Sequence, residues 1–160
     1  MKLASTKYKD SLKRSDKLFR LIFQITWRSI SFVLPGRTLN GFKIFIINLF
    51  GGNCDKSAVI YSTSKIFDPR KLTMLKNSTI GPNTIIYNVD IVSIGEGSII
   101  SQYSHLNTAS HDFRQDEFPL IYAPITIGSN CWIATEVYVN MGVSITKDVV
   151  VGARSSVFKS

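Results

Sequence analysis

The chain has 160 residues, of which 44% are apolar and 19% charged, the size and composition of one folded domain rather than of a disordered or solvating segment. Its two cysteines, Cys54 and Cys131, stand far apart with no ligand spacing around them, so neither a disulfide framework nor a zinc site is suggested, and a reducing compartment is the simplest reading. Ten of the 19 basic residues but two of the 11 acidic ones lie in residues 1–50, so the net charge of +8 belongs to the first third and residues 51–160 are neutral.

Residues 1–57 read as an N-terminal helical segment, basic and apolar at once. Apolar runs cover residues 18–23, 30–34 and 44–50, with Pro35-Gly36 between the last two as a break. Arg20 and Arg28 interrupt the first stretch and Lys43 adjoins the last, so none approaches the roughly 20 uncharged residues of a membrane-spanning helix. The polar start runs to Lys17 and no small-residue cleavage motif follows, unlike a secretory leader, so a cytoplasmic location is expected. Two fates are open for these helices: packing on the rest of the chain, or peripheral contact with the inner face of an anionic membrane through residues 1–50. Nucleic acid is not the expected partner, because the cations are interleaved with large aliphatics whose neighbours snorkel rather than form a phosphate stripe.

Residues 58–160 follow another rule. Counting by sixes from Ile127 meets Ile133, Val139, Ile145, Val151 and Val157, and the fourth residue after each of the first five, Cys131 to Ser155, is small or β-branched. Earlier blocks run Ile94, Ile100, Leu106 and Ile80, Ile86. A period of six fits neither a helix nor a lone strand; it fits a coil with three flat sides, each contributing one plug to a central column, 18 residues per turn. Turns then stack as parallel strands about 4.8 Å apart, giving an all-β solenoid.

Two steps break the count. Ile86 to Ile94 is eight residues, which makes Tyr87 to Asp90 a bulge, and Leu106 to Ile127 is 21, which ejects residues 112–124 as a loop. His111 is the last residue before that loop, at a corner, with Asp112 beside it; His105, one hexad earlier, has no loop and reads as a solvated corner residue.

The strings Ile94-Gly95-Glu96-Gly97, Ser110-His111-Asp112-Phe113, Ala123-Pro124-Ile125-Thr126-Ile127-Gly128 with Trp132-Ile133, and Val151-Gly152-Ala153 together resemble the hexapeptide-repeat acyltransferases. The resemblance is strongest to colanic-acid and other surface-polysaccharide O-acetyltransferases, with galactoside, maltose and nodulation acetyltransferases as cousins. It implies a left-handed parallel β-helix, a hand that spacing alone does not give. It also implies a homotrimer that uses acetyl-CoA as co-substrate, without a metal, to acetylate a sugar or a nucleotide- or lipid-linked saccharide.

The chemistry needs a base near neutrality to take the hydroxyl proton, and the resemblance assigns that role to His111 with direct transfer and no acyl-enzyme. Asn88 is the match for an acceptor-binding Asn, with Asp90 and Arg114 as further acceptor-side candidates; turn and solvated-loop roles are the alternatives for these three. For the donor, the matching positions are Thr135, Ala153 and Lys159, the last toward a CoA phosphate, and Trp132, which either covers the cofactor arm or seals a trimer seam.

Glu136 and Arg154 stand where the family usually has glycine, and the chain ends at Ser160 inside a repeat where family members continue, which reads as a C-terminal truncation. The alternative reading is therefore a catalytically inactive or truncated homologue serving as a binding or assembly subunit. A metal enzyme on the same coil needs three His ligands per site, and the chain has two His.

Overall fold

The computed structural model describes residues 13–160; the first twelve residues of the expected N-terminal segment, with Lys2, Lys7 and Lys9, lie outside the described residues. Two helices lead, α1 (Arg14–Val33) and α2 (Asn40–Leu49), followed by a parallel β-solenoid of five turns.

Turn one holds β1 (Asn53–Cys54), β2 (Val59–Ile60) and β3 (Lys65–Ile66), and turn two β4 (Leu72–Met74), β5 (Thr79–Ile80) and β6 (Ile85–Tyr87). Turn three holds β7 (Val92–Ile94), β8 (Ile99–Ile100) and β9 (His105–Asn107); a hairpin of β10 (Ala109–His111) and β11 (Leu120–Tyr122) then leaves the coil. Turn four is β12 (Ile125–Ile127), β13 (Trp132–Ile133) and β14 (Tyr138–Val139), and turn five β15 (Ser144–Ile145), β16 (Val150–Val151) and β17 (Ser156–Val157). Corresponding strands pair in parallel across turns to make three five-stranded sheets, in the orders β1-β4-β7-β12-β15, β16-β13-β8-β5-β2 and β17-β14-β9-β6-β3.

The plugs form one column. Ile60, Ile66, Ile80, Ile86, Ile94, Ile100, Leu106, Ile133 and Val139 are all fully buried, and the small residues two places before a plug, such as Ser78, Thr84, Ser98 and Ser104, are buried at the corners. Their hydroxyls are not orphaned there: Ser98 Oγ donates to the Gly128 carbonyl at 2.6 Å and Ser104 Oγ to that of Ala134 at 2.8 Å. The third residue after most plugs turns in the left-handed region, with φ of 55° at Asn130, 59° at Glu136 and 62° at Arg154. The glycine after a plug has a different cause, close stacking of turns: a Cβ on Gly95 would sit 2.4 Å from the Gly128 backbone, and one on Gly128 would sit 2.7 Å from Lys147 N.

The solenoid begins at Asn53, inside the segment assigned from sequence to the helices, and not at 58. A second step of eight, Ile66 to Met74, carries a 3-10 turn at Pro69–Lys71 and breaks the count back from Ile80; its first plug is a cysteine rather than an aliphatic.

The helices close the open end of turn one. Asn48 accepts from Cys54 N at 2.9 Å and donates to Cys54 O at 2.8 Å, and Asn40 accepts from Ile60 N at 3.0 Å and donates to Ala58 O at 2.7 Å, so two side chains imitate a missing strand. From α1, Trp27 Nε1 donates to Ser64 O at 2.8 Å and Ser31 Oγ to Ser62 O. Phe23, Trp27, Ile44 and Ile47 cover the column's end. Arg70 ties α1 to the coil, binding Asp68 through two guanidinium nitrogens and Asp16 at 3.0 Å while lying over the Phe19 ring. Packing on the coil is thus one fate of this segment, and it draws in cations that composition alone leaves at the surface: Lys43 is fully buried with its ammonium on the Gly36 carbonyl, and Arg20 lies under α1. Among the described residues no helix is long and apolar enough to cross a membrane.

Candidate active site

The ejected segment is an antiparallel hairpin whose stem starts earlier than expected. His111 is therefore not a coil corner but the end of β10, opposite Leu120. Its ring stacks on Phe118 with centroids 4.6 Å apart and planes within 5°, and its Nδ1 lies 2.8 Å from the Phe118 carbonyl oxygen. A carbonyl can only accept, so in this contact Nδ1 carries the hydrogen, and the neutral imidazole keeps its lone pair on Nε2. Phe118 presents that carbonyl from a left-handed backbone, φ 49°, directly before Pro119, two conditions that the chain ordinarily avoids together. Phe118 thus meets His111 twice, at Nδ1 through its carbonyl and at the ring face through its own ring.

Asp112 closes the hairpin tip. Its carboxylate accepts from Arg114 N at 3.0 Å and Gln115 Nε2 at 2.9 Å, and these bonds, the Arg114 amide first, hold it below the usual carboxylate range. Arg114 is exposed, its guanidinium 5.8 Å from the Phe113 ring.

Asn88, expected to contact an acceptor, has another task. It is fully buried, its Oδ1 accepting from Asp68 N at 3.0 Å and its Nδ2 donating to Asp68 O at 2.6 Å, so the amide clamps turn two to turn one with both ends occupied. Asp90 serves its own turn: its carboxylate accepts from Ile91 N at 2.7 Å, and its amide donates to Thr108 Oγ1 at 2.9 Å. His105 is half-buried rather than solvated, edge-on to Tyr138 at 5.4 Å with a buried Nε2 that has no hydrogen-bond partner, and burial pushes its pKa down.

The donor-side candidates divide between two corners. Thr135 and Ala153 stack one turn apart, the amide of Arg154 donating to Thr135 O at 2.9 Å, and beside them Arg154 Nε meets Glu136 Oε2 at 2.7 Å. Trp132 stands 51% exposed on the neighbouring sheet, its Nε1 donating to Ser101 Oγ at 2.9 Å. Lys159 follows β17 at the corner where, two turns earlier, the hairpin leaves β9; with Ile145, Val151 and Val157 it lines a cavity of about 280 Å³ at the end of the column. Neither cysteine is available for an acyl-enzyme: both are buried, burial pushes the Cys54 thiol up to about 12, and Cys131 Sγ donates to Thr146 O at 2.9 Å.

Sequence reasoning missed Phe118, the residue that contacts the His111 ring and its Nδ1, and Asp68, the partner of Asn88. The alternating Leu120-Ile121-Tyr122 after Pro119 was the available sign of a returning strand; nothing in the sequence pairs residue 68 with residue 88 until the step of eight is recognised at both corners.

No protein-family profile matches the chain. Over 139 residues, 86% of this chain and 76% of the relative, it is 40% identical to a protein of Escherichia coli that carries the provisional name colanic acid biosynthesis acetyltransferase WcaF. Over 80 residues, 48% of this chain and 39% of the relative, it is 34% identical to the galactoside O-acetyltransferase of the same organism. Among solved structures, a hexapeptide-repeat acetyltransferase from Vibrio cholerae superposes with a TM-score of 0.78 at 22% identity, covering 92% of this chain and 83% of that one. A second structure of that protein, in complex with acetyl-CoA, gives 0.76 at 23% identity, covering 99% and 88%. A maltose O-acetyltransferase from Clostridium difficile gives 0.78 at 19% identity, covering 92% and 80%. The five-turn coil, its hand as in these structures, and the extended match to the Escherichia coli relative agree: this chain belongs to the hexapeptide-repeat acetyltransferase family.

Proposed function

We propose that the chain is an acetyl-CoA-dependent O-acetyltransferase acting on a sugar hydroxyl in surface-polysaccharide biosynthesis, with His111 as general base. The observation that carries this reading is the Nδ1 contact with the Phe118 carbonyl, which puts the hydrogen on Nδ1 and the imidazole lone pair on Nε2 of a ring stacked on Phe118. The hydroxyl oxygen attacks the thioester carbonyl carbon as Nε2 takes its proton; the tetrahedral intermediate then collapses, the C–S bond breaks, and the imidazolium returns the proton to the departing thiolate. Direct transfer is supported by the burial of both cysteines.

The acetyl-CoA complex of the Vibrio cholerae protein and the names of the relatives support the donor and the polysaccharide context. An N-acyltransferase from Bacillus cereus, AntD, crystallised once with a dTDP-sugar and CoA and once with dTDP and an acyl-CoA, shares the fold at a TM-score of 0.60 and 16–17% identity. We place Thr135, Ala153, Trp132 and Lys159 on the donor side of a homotrimer and Arg114 and Asp90 on the acceptor side. The exposed apolar face of α1 supports peripheral membrane contact.

Replacing His111 by Ala is expected to lower kcat by about 10² to 10⁴, measured as free thiol release from acetyl-CoA with a panel of sugar acceptors, while acetyl-CoA binding by calorimetry is unchanged. Full activity in that variant refutes the assignment.

A further inference from the structure

Between α1 and the outer surface of β3 and β6 runs a groove of about 370 Å³, lined by Lys17, Arg20, Arg28, Lys65, Phe67 and Tyr87 among others. Four of its lining residues are cations, and no carboxylate stands among the described lining residues. Arg20 is the notable one. Its guanidinium lies over the Phe67 ring, 4.6 Å from the centroid, and the residue is 8% exposed, yet its Nη2 has no hydrogen-bond partner. The cation–π contact fixes the plane but cannot satisfy the N–H groups in it. A buried guanidinium with an orphan donor is costly unless an anion meets it. The groove continues along α1 past Arg28 and Lys65 to a second recess of about 310 Å³, where Ser62 Oγ is likewise buried without a partner. The unmet donor of Arg20 on α1 and the unmet hydroxyl of Ser62 on the coil lie beneath these recesses, closed to solvent, and a multi-oxygen anion settling among the flanking cations and shifting their cover would complete them.

We propose that this groove is a binding site for the phosphate or diphosphate group of a phosphorylated ligand, with Arg20 as its buried anchor and Arg28 and Lys65 at its rim. The planar fork of Arg20 matches phosphate oxygens, and the two recesses end to end give room for a diphosphate and an attached group. The site is separate from His111 and does not depend on the acetyltransferase reading. It bears on it in one respect: Tyr87, on the groove wall, pairs with Asn107 of the next turn, just before the hairpin that carries His111. A diphosphate-linked saccharide held here would lie on the same sheet as the strand that leads to the base.

The test is calorimetric titration of the full chain with pyrophosphate, compared with Arg20→Gln and Lys65→Gln variants whose thermal melts are recorded in parallel. Saturable pyrophosphate binding weakened about tenfold or more in Arg20→Gln, and less in Lys65→Gln, is the expected result. Should Arg20→Gln fail to fold, Lys65→Gln and Arg28→Gln together must show the loss. Absence of saturable binding up to about 10 mM, or unchanged affinity in the folded variants, overturns the proposal. Two further titrations separate the sources of the phosphate: tighter binding of UDP-glucose than of dihexanoyl phosphatidic acid identifies a soluble nucleotide-linked ligand, and the reverse order a lipid headgroup. These readouts involve no acetyl transfer, so failure of the site and failure of the His111 assignment are scored independently.

Discussion

At Asn88 a polar side chain that sequence similarity aligns with acceptor binding is spent on holding two turns together. Its amide occupies the N–H and the carbonyl of Asp68, both buried, and Asp68 in turn anchors the guanidinium of Arg70. Truncation to Ala would leave two backbone groups unpaired, at about 1–3 kcal/mol each. Asn88→Ala is expected to lose about 2–4 kcal/mol in denaturant titration. A fall in acceptor affinity with stability intact would instead return Asn88 to the acceptor site. His111 shows the converse economy: one carbonyl, on a residue with an unfavourable backbone, decides which ring nitrogen carries the proton. Glu136 and Arg154 take left-handed turns without glycine, and their mutual ion pair is too exposed to offset more than a fraction of that strain.

Among the elements, the two helices act as a lid on the coil. A parallel strand at the end of a solenoid exposes a row of N–H and C=O groups, and Asn40, Asn48, Trp27 and Ser31 cover that row in turn one. Asn48→Ala uncovers both polar groups of Cys54 and is expected to cost about 1–3 kcal/mol, read as a lower urea midpoint, together with faster self-association in light scattering. Unchanged midpoint and scattering would mean that water replaces the side chain at no cost. The hairpin is the other irregular element; it is inserted where one 21-residue step interrupts the sixes, and the coil resumes after it in register, β12 pairing with β7.

Among the described residues, helix α1 carries exposed cations and an exposed apolar stripe together. α1 buries Phe23 and Trp27 against the coil and leaves Leu18, Leu21, Ile25 and Phe32 exposed on its other side, near the exposed Arg14 and Arg28. An apolar stripe bordered by cations suits an anionic lipid surface. The chain is expected to cosediment with vesicles of phosphatidylglycerol and phosphatidylcholine and not with phosphatidylcholine alone, and an Ile25→Glu/Phe32→Glu variant is expected to stay in the supernatant. Equal sedimentation of the variant would assign that face to protein contacts.

The architecture was legible because a repeat declares itself: any residue that must plug a three-sided column recurs at six, and the small corner residue and the glycine stacked against the next turn recur with it. Local rules of this kind determined the coil, the ejected segment and the interest of His111. Only the tertiary structure decided that the coil starts at Asn53, that Asn88 is a clamp, that Phe118 contacts the His111 ring and its Nδ1, and that Arg20 lies buried with a donor unmet. Each of these joins residues from different turns or from a helix and a turn. Which partner a side chain meets there depends on how corners of unequal length stack, and spacing along the chain does not contain that information.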